Sequence, residues 1–160
     1  MPHGNEGDGA AFLAVFDTNV LIDVMRDALG APARLLDAVR EGMVIPIATD
    51  AVRKEYALII QRMRPAGEDL EHIKQFVQAL KVVAPQDTDV VIDDKEDYKF
   101  IQAALGGNAD YIITSDRHLL DVGEVGATRI VSPTEAMATI EGEGTISGAW
   151  QSWVKGLGIG

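Results

Sequence analysis

The chain has 160 residues, 47 % of them hydrophobic, enough for one domain with a sizeable core. Its 14 basic residues against 25 acidic ones leave a net charge of -11, which argues against a broad basic surface for nucleic acid, because phosphate contacts supply most non-specific affinity. With no cysteine, disulfides and thiolate metal sites are excluded.

Residues 1–11 are polar and Gly-rich without a basic stretch, and read as a flexible leader, not a signal peptide. No apolar run approaches membrane-spanning length, so a cytoplasmic protein without membrane contact is expected. Residues 12–17 form a first buried strand, a short apolar run that ends at Asp17. Helical patterns follow over 18–26 and from Pro32 to Glu41, the latter stopped by Gly42. Residues 43–47 make the next strand, and Pro46 is expected to interrupt its pairing near the end. Thr49 or Asp50 caps a helix to Met63 that carries Glu55, with Val52, Tyr56, Ile59 and Met63 on one side.

After a break at 64–67, a helix covers 68–80 and a short strand 81–84. Residues 86–94 are loop, and a helix from about Glu96 to Leu105 ends at Gly106 and Gly107. The strand 111–115 leads to Asp116 and a short helical turn over 117–120. A last strand spans 128–131, and Ser132, Pro133 and Glu135 make a capping box that starts a helix. Strands alternating with helices at this spacing predict a parallel sheet covered on both faces. The domain is expected over 12–140, and residues 141–160 form a Gly-rich tail with Trp150 and Trp153.

Asp17 and Asp116 each end an apolar strand, a costly place for a carboxylate and the ligand-binding edge of a parallel α/β sheet. With Glu55 and Asp97 placed by intervening helices, the four read as a cradle for hard divalent cations. Magnesium and manganese take oxygen ligands, and carboxylates without His or Cys suit them and not zinc. Metal-dependent phosphodiester chemistry needs no histidine base, and none of His3, His72 and His118 sits at a strand end. Each acid also has an ordinary alternative. Asp17 and Asp116 could cap helices, Glu55 could be solvated between its basic neighbours, and Asp97 could complement a helix dipole. Thr18, Asn19 and Ser115 are possible donors that orient a carboxylate, or turn and cap residues. Arg26, Arg53, Lys54 and Arg117 neighbour the acids and could meet phosphate.

The same segments carry a resemblance. Residues 16–22 (FDTNVLI) resemble the opening motif of PIN-domain nucleases, and residues 48–55 (ATDAVRKE) their second acidic segment. Residues 94–101 (DKEDYKFI) and 109–120 (ADYIITSDRHLL) resemble the third and fourth, and 129–135 the last strand and helix. The resemblance covers about 12–140. It implies a three-layer α/β/α fold around a parallel five-stranded sheet, with Asp17, Glu55, Asp97 and Asp116 binding Mg2+ or Mn2+. It also implies metal-dependent cleavage of single-stranded RNA. In the VapC-like group, the protein is the toxin of a toxin–antitoxin pair, with an antitoxin partner and a homodimer or higher homo-oligomer.

That group often has Asp-Pro before its third acid and Thr-Gly-Asp at its fourth, where this chain has Asp94-Lys95 and Thr114-Ser115-Asp116. No carboxylate is lost, but Asp94 becomes a second candidate at the third position. The alternative function is a catalytically inactive PIN-like module for RNA binding or assembly, against which the complete acid set argues. An aspartyl phosphotransferase commonly has a second Asp two residues after its nucleophile, where this chain has Asn19.

Overall fold

The computed structural model describes residues 10–143. At its centre is β1 (Phe12–Phe16), where Leu13, Ala14, Val15 and Phe16 are all buried. Successive strand side chains point to opposite faces, so burial of four in a row means that both faces of the sheet are covered. On one side β1 pairs in parallel with β2 (Val44–Ala48), which pairs in parallel with β3 (Lys81–Val82). On the other side lie β4 (Tyr111–Ile113) and β6 (Thr128–Val131), both parallel, and then β5 (Glu124–Val125), antiparallel to β6.

The sheet order is therefore β3-β2-β1-β4-β6-β5. The chain leaves β1 in one direction and returns to its other side at β4. The crevice beyond the carboxyl ends of β1 and β4 is thus the topological switch point, where open α/β sheets bind ligands.

The expected parallel sheet of five strands is present, with a sixth, antiparallel strand added. β5 is a two-residue piece joined to β6 by a turn at Gly126, whose φ is +58°, and two residues are too few to show any alternation in sequence. β2 runs through Pro46 unbroken. Pro46 is opposite Ala14 on the β1 side, and the pairing with β3 starts one residue later at Ile47, so the missing donor falls where the strand changes partner.

The helices are α1 (Thr18–Val24), α2 (Ala31–Arg40), α3 (Asp50–Met63), α4 (Gly67–Ala79), α5 (Tyr98–Gly106), α6 (Arg117–Val122) and α7 (Pro133–Glu143). α1 stops two residues short of the predicted Arg26. α7 starts at the predicted box, with Ser132 Oγ accepting from Glu135 N at 3.1 Å and Glu135 Oε1 from Ser132 N at 3.0 Å. Under the sheet, Phe76 meets Phe16 and Tyr56 edge-on with ring centroids 5.1 and 5.4 Å apart, a geometry that adds to the burial of all three. The Tyr56 hydroxyl donates to the carbonyl oxygen of Phe16, the residue before Asp17. His72 Nε2 lies 2.6 Å from Asp37 and ties α4 to α2.

Candidate acidic active site

Asp17 follows the last residue of β1, and its N–H donates to Ile113 O at 2.9 Å, extending the β1–β4 ladder by one step. Asp17 is 4 % exposed. Oδ1 accepts from Asn19 N at 3.2 Å and so caps α1, while Oδ2 accepts from Thr114 Oγ1 at 2.6 Å. Burial pushes the Asp17 pKa up, and the carboxylates of Asp116 and Glu55 push it further. The bonds from Thr114 and Asn19 pull it back without cancelling the rise. Oδ1 thus realises the capping alternative, while Oδ2 is taken by Thr114.

Thr114 is fully buried, and besides donating to Asp17 it accepts from Asp116 N at 2.9 Å. One hydroxyl thus fixes the acids of two neighbouring strands relative to each other. Asp116 caps α6, accepting from His118 N at 2.9 Å. Asp97 lies in a 3₁₀ turn, Lys95–Asp97, ahead of α5. It is 8 % exposed, and its pKa is raised to about 6 by burial first, then by Asp116, Asp94 and Asp17, and by a hydrogen bond with Asp116. Glu55 projects from α3, where it accepts from Thr18 Oγ1 and pairs with Lys99 Nζ at 2.5 Å.

The structure therefore brings Asp17, Asp97 and Asp116 into one electrostatic unit, with Glu55 coupled to Asp17. Asp94 instead caps the 3₁₀ turn, its Oδ1 accepting from Glu96 N at 2.9 Å, and it is exposed. Thr18 orients Glu55 as anticipated. Asn19 contributes its backbone N–H, and its side chain is exposed, as is that of Ser115. Both line an open cleft of about 370 Å³ with Ile22, Asp23, Arg26 and Asp116. A larger groove of about 600 Å³ between α3 and α4 has no acid in its lining.

Thr114, Lys99 and Tyr56 were not among the residues singled out for the site. Thr114 had one signal, a hydroxyl at the end of an apolar strand two residues before an acid. Lys99 and Tyr56 are within ordinary helical patterns, and their partners are 44 and 40 positions away.

A divalent cation is implied by this donor set, and its chemistry fits: all oxygen, all acidic, with burial and mutual repulsion that a cation would relieve. Among the described residues no three acidic or imidazole side chains stand as a ready ligand set. Glu55 is turned instead onto a partner of its own, Lys99.

The PIN domain model matches residues 14–118, a span that contains all four acids. Uncharacterized protein MJ1680 of Methanocaldococcus jannaschii is 27 % identical over 114 residues, 68 % of this chain and 73 % of that protein. Among solved structures, that of VapBC2 from Rickettsia felis, bound to a DNA fragment from its promoter, is similar with a TM-score of 0.51 at 10 % identity. It covers 75 % of this chain and 98 % of that one. PAE2754 from Pyrobaculum aerophilum gives 0.49 at 15 % identity over 87 % and 95 %. A family match over more than half of the chain, on a sheet whose switch point carries the acids, identifies this chain as a member of the PIN-domain family.

Proposed function

We propose that the chain is a metal-dependent endoribonuclease that cleaves single-stranded RNA at Asp17, Glu55, Asp97 and Asp116. The observation that carries this reading is the burial of Asp17 and Asp97 and the single Thr114 hydroxyl that joins Asp17 to Asp116 beyond the carboxyl ends of β1 and β4, with Glu55 held by the neighbouring Thr18. The four side chains would hold Mg2+ or Mn2+, which when bound supplies an activated water and stabilises the leaving oxygen. Thr114 and Asn19 keep the Asp17 carboxylate in one orientation, and Thr18 does the same for Glu55. Positioning of this kind decides whether charge is useful at the reacting phosphate.

The strongly negative chain needs a local contact for RNA, and Arg26, in the cleft beside Asp116, is placed for one phosphate. The preference for RNA and the role as toxin partner of an antitoxin, in the cytoplasm and as a homodimer or larger, rest on the resemblance to the VapC-like group. No helix of the described residues is long and apolar enough to cross a membrane.

The test is cleavage of single-stranded RNA by purified protein. We expect activity with Mg2+ or Mn2+, none after EDTA and none restored by Ca2+, whose looser coordination positions water poorly. Asp17→Asn keeps the shape and removes charge, and should lower the rate at least ~100-fold. A folded variant that cleaves at the wild-type rate would move the site elsewhere. A wild type that binds RNA without cutting it would leave the inactive PIN-like module as the function.

A further inference from the structure

Lys99 has no role in the proposed cleavage, yet it reaches into the acidic centre. It lies in the first turn of α5, two residues after Asp97, and its ammonium stands 2.5 Å from Glu55 Oε1 and 3.2 Å from Glu96 Oε1. The two contacts differ in kind. Glu96 is 84 % exposed, where an ion pair is worth little, whereas the side chains of Lys99 and Glu55 are 19 % and 30 % exposed. Partial removal of water there makes the inner pair several times stronger than the same pair in bulk solvent. The Nζ also stands 5.5 Å from the ring centroid of Phe100, which favours a cation at that spot.

A lysine is an unexpected neighbour for carboxylates that are to bind a divalent cation. It repels the ion, and it occupies one of the oxygens the ion would use. Among the described residues no lysine or arginine pairs with Asp17, Asp97 or Asp116, and Arg26, in the cleft beside Asp116, makes only an exposed ion pair with Asp23. Lys99 alone among them neutralises a member of the four.

We propose that Lys99 is the built-in counter-cation of the acidic centre and competes with the divalent ion for Glu55. It is a positioning residue that acts through Glu55. It lowers the repulsion among the acids in metal-free protein and thereby weakens metal binding, so that the site fills at higher ion concentration than the acids alone would require. This rests on the functional reading above.

The experiment titrates the full chain with Mn2+ alone at low ionic strength, by calorimetry and by the EPR signal of free Mn2+. Lys99→Gln should bind Mn2+ about tenfold tighter, the scale expected for removing a nearby charge from a partly shielded site. Lys99→Arg keeps the charge and should stay within about twofold of wild type. Melting adds a second readout: Lys99→Gln should melt lower than wild type without metal and match it at saturating Mn2+. A mere strut between α3 and α5 would lower both melting points alike and leave affinity unmoved. Lys99→Met gives the same test should the glutamine variant fold poorly, and a variant that folds only with Mn2+ supports the proposal. Equal or weaker Mn2+ binding by a natively folded Lys99→Gln overturns it. If the wild type itself binds no Mn2+, the acidic-centre reading fails and this proposal fails with it.

Discussion

Asp97 and Asp94 are three residues apart and are held in opposite ways. Asp97 is buried and feels the charge of Asp116, and Asp94 stands in solvent with its carboxylate on the N–H of Glu96. Asp97→Ala should therefore abolish RNA cleavage. Asp94→Ala should leave most of it and destabilise by ~1 kcal/mol, the usual loss for a cap. Rates and melting curves measured side by side decide, and the reverse ranking would move the third acid to Asp94. A second prediction follows from the raised pKa of Asp97, about 6 in the folded protein against an ordinary value of about 4. A folded-state pKa above the unfolded one means that folding favours the protonated acid. Its contribution is complete below about pH 4 and is lost as pH rises to about 6. In EDTA, Asp97→Asn should gain in melting temperature relative to wild type across that window. A difference that stays flat or shrinks would show that Asp97 ionises as an ordinary carboxylate. Asp17 and Asp116 are conspicuous in the sequence as carboxylates that end apolar strands, whereas Glu55 and Asp97 lie in helical patterns and join them as candidates only through their company and the resemblance. Thr114 and Lys99 were not legible, since what each touches depends on chain segments 97 and 44 residues away.

At the scale of elements, the segment between β3 and α5 carries the third acid into place. It has almost no regular structure before the 3₁₀ turn, but it is stitched along α5. Gln86 N donates to Gln102 O at 3.0 Å, Gln102 Nε2 to Asp87 at 2.7 Å, and Thr88 N to the Tyr98 hydroxyl at 2.9 Å. The same segment presses on the end of α5, where a Cβ on Gly106 would stand 1.8 Å from the Ala84 carbonyl oxygen. Gly106→Ala must push the two apart, at about 1–3 kcal/mol, the range for overpacking a filled interior. Denaturant midpoints measure it, and an unchanged midpoint would mean that the approach is not tight. Gly106 and Gly107 read from sequence as a helix stop after Leu105; α5 runs one residue further, through Gly106, and is capped by Gly107. The close approach was not legible, because nothing local indicates which backbone arrives from residue 84. In the same way, the acid-bearing helix was foreseen, while its 3₁₀ first turn was not.

For the molecule as a whole, the order of elements along the chain and the parallel pairing follow from alternating strand and helix patterns, whereas the order of strands within the sheet, and with it the β1–β4 switch point, does not. What also escaped was the two-residue β5 and the far boundary. α7 reaches Glu143, and Arg34 on α2 pairs with Glu141, so a cut at residue 140 would remove part of a packed helix. Trp150 and Trp153 lie outside the described residues. Deleting 144–160 removes no part of the acidic centre and should leave RNA cleavage intact, and lost cleavage in a truncated chain that still melts cooperatively would make the tail part of the site. The central claim is that the carboxylates gathered at the β1–β4 switch point hold a divalent cation, and diffraction from crystals soaked in Mn2+ tests it most directly. An anomalous peak bounded by Asp17, Glu55, Asp97 and Asp116 is expected, and it should disappear in Asp17→Asn. Fully soaked crystals with no peak there, or with manganese only at other carboxylates, would contradict it.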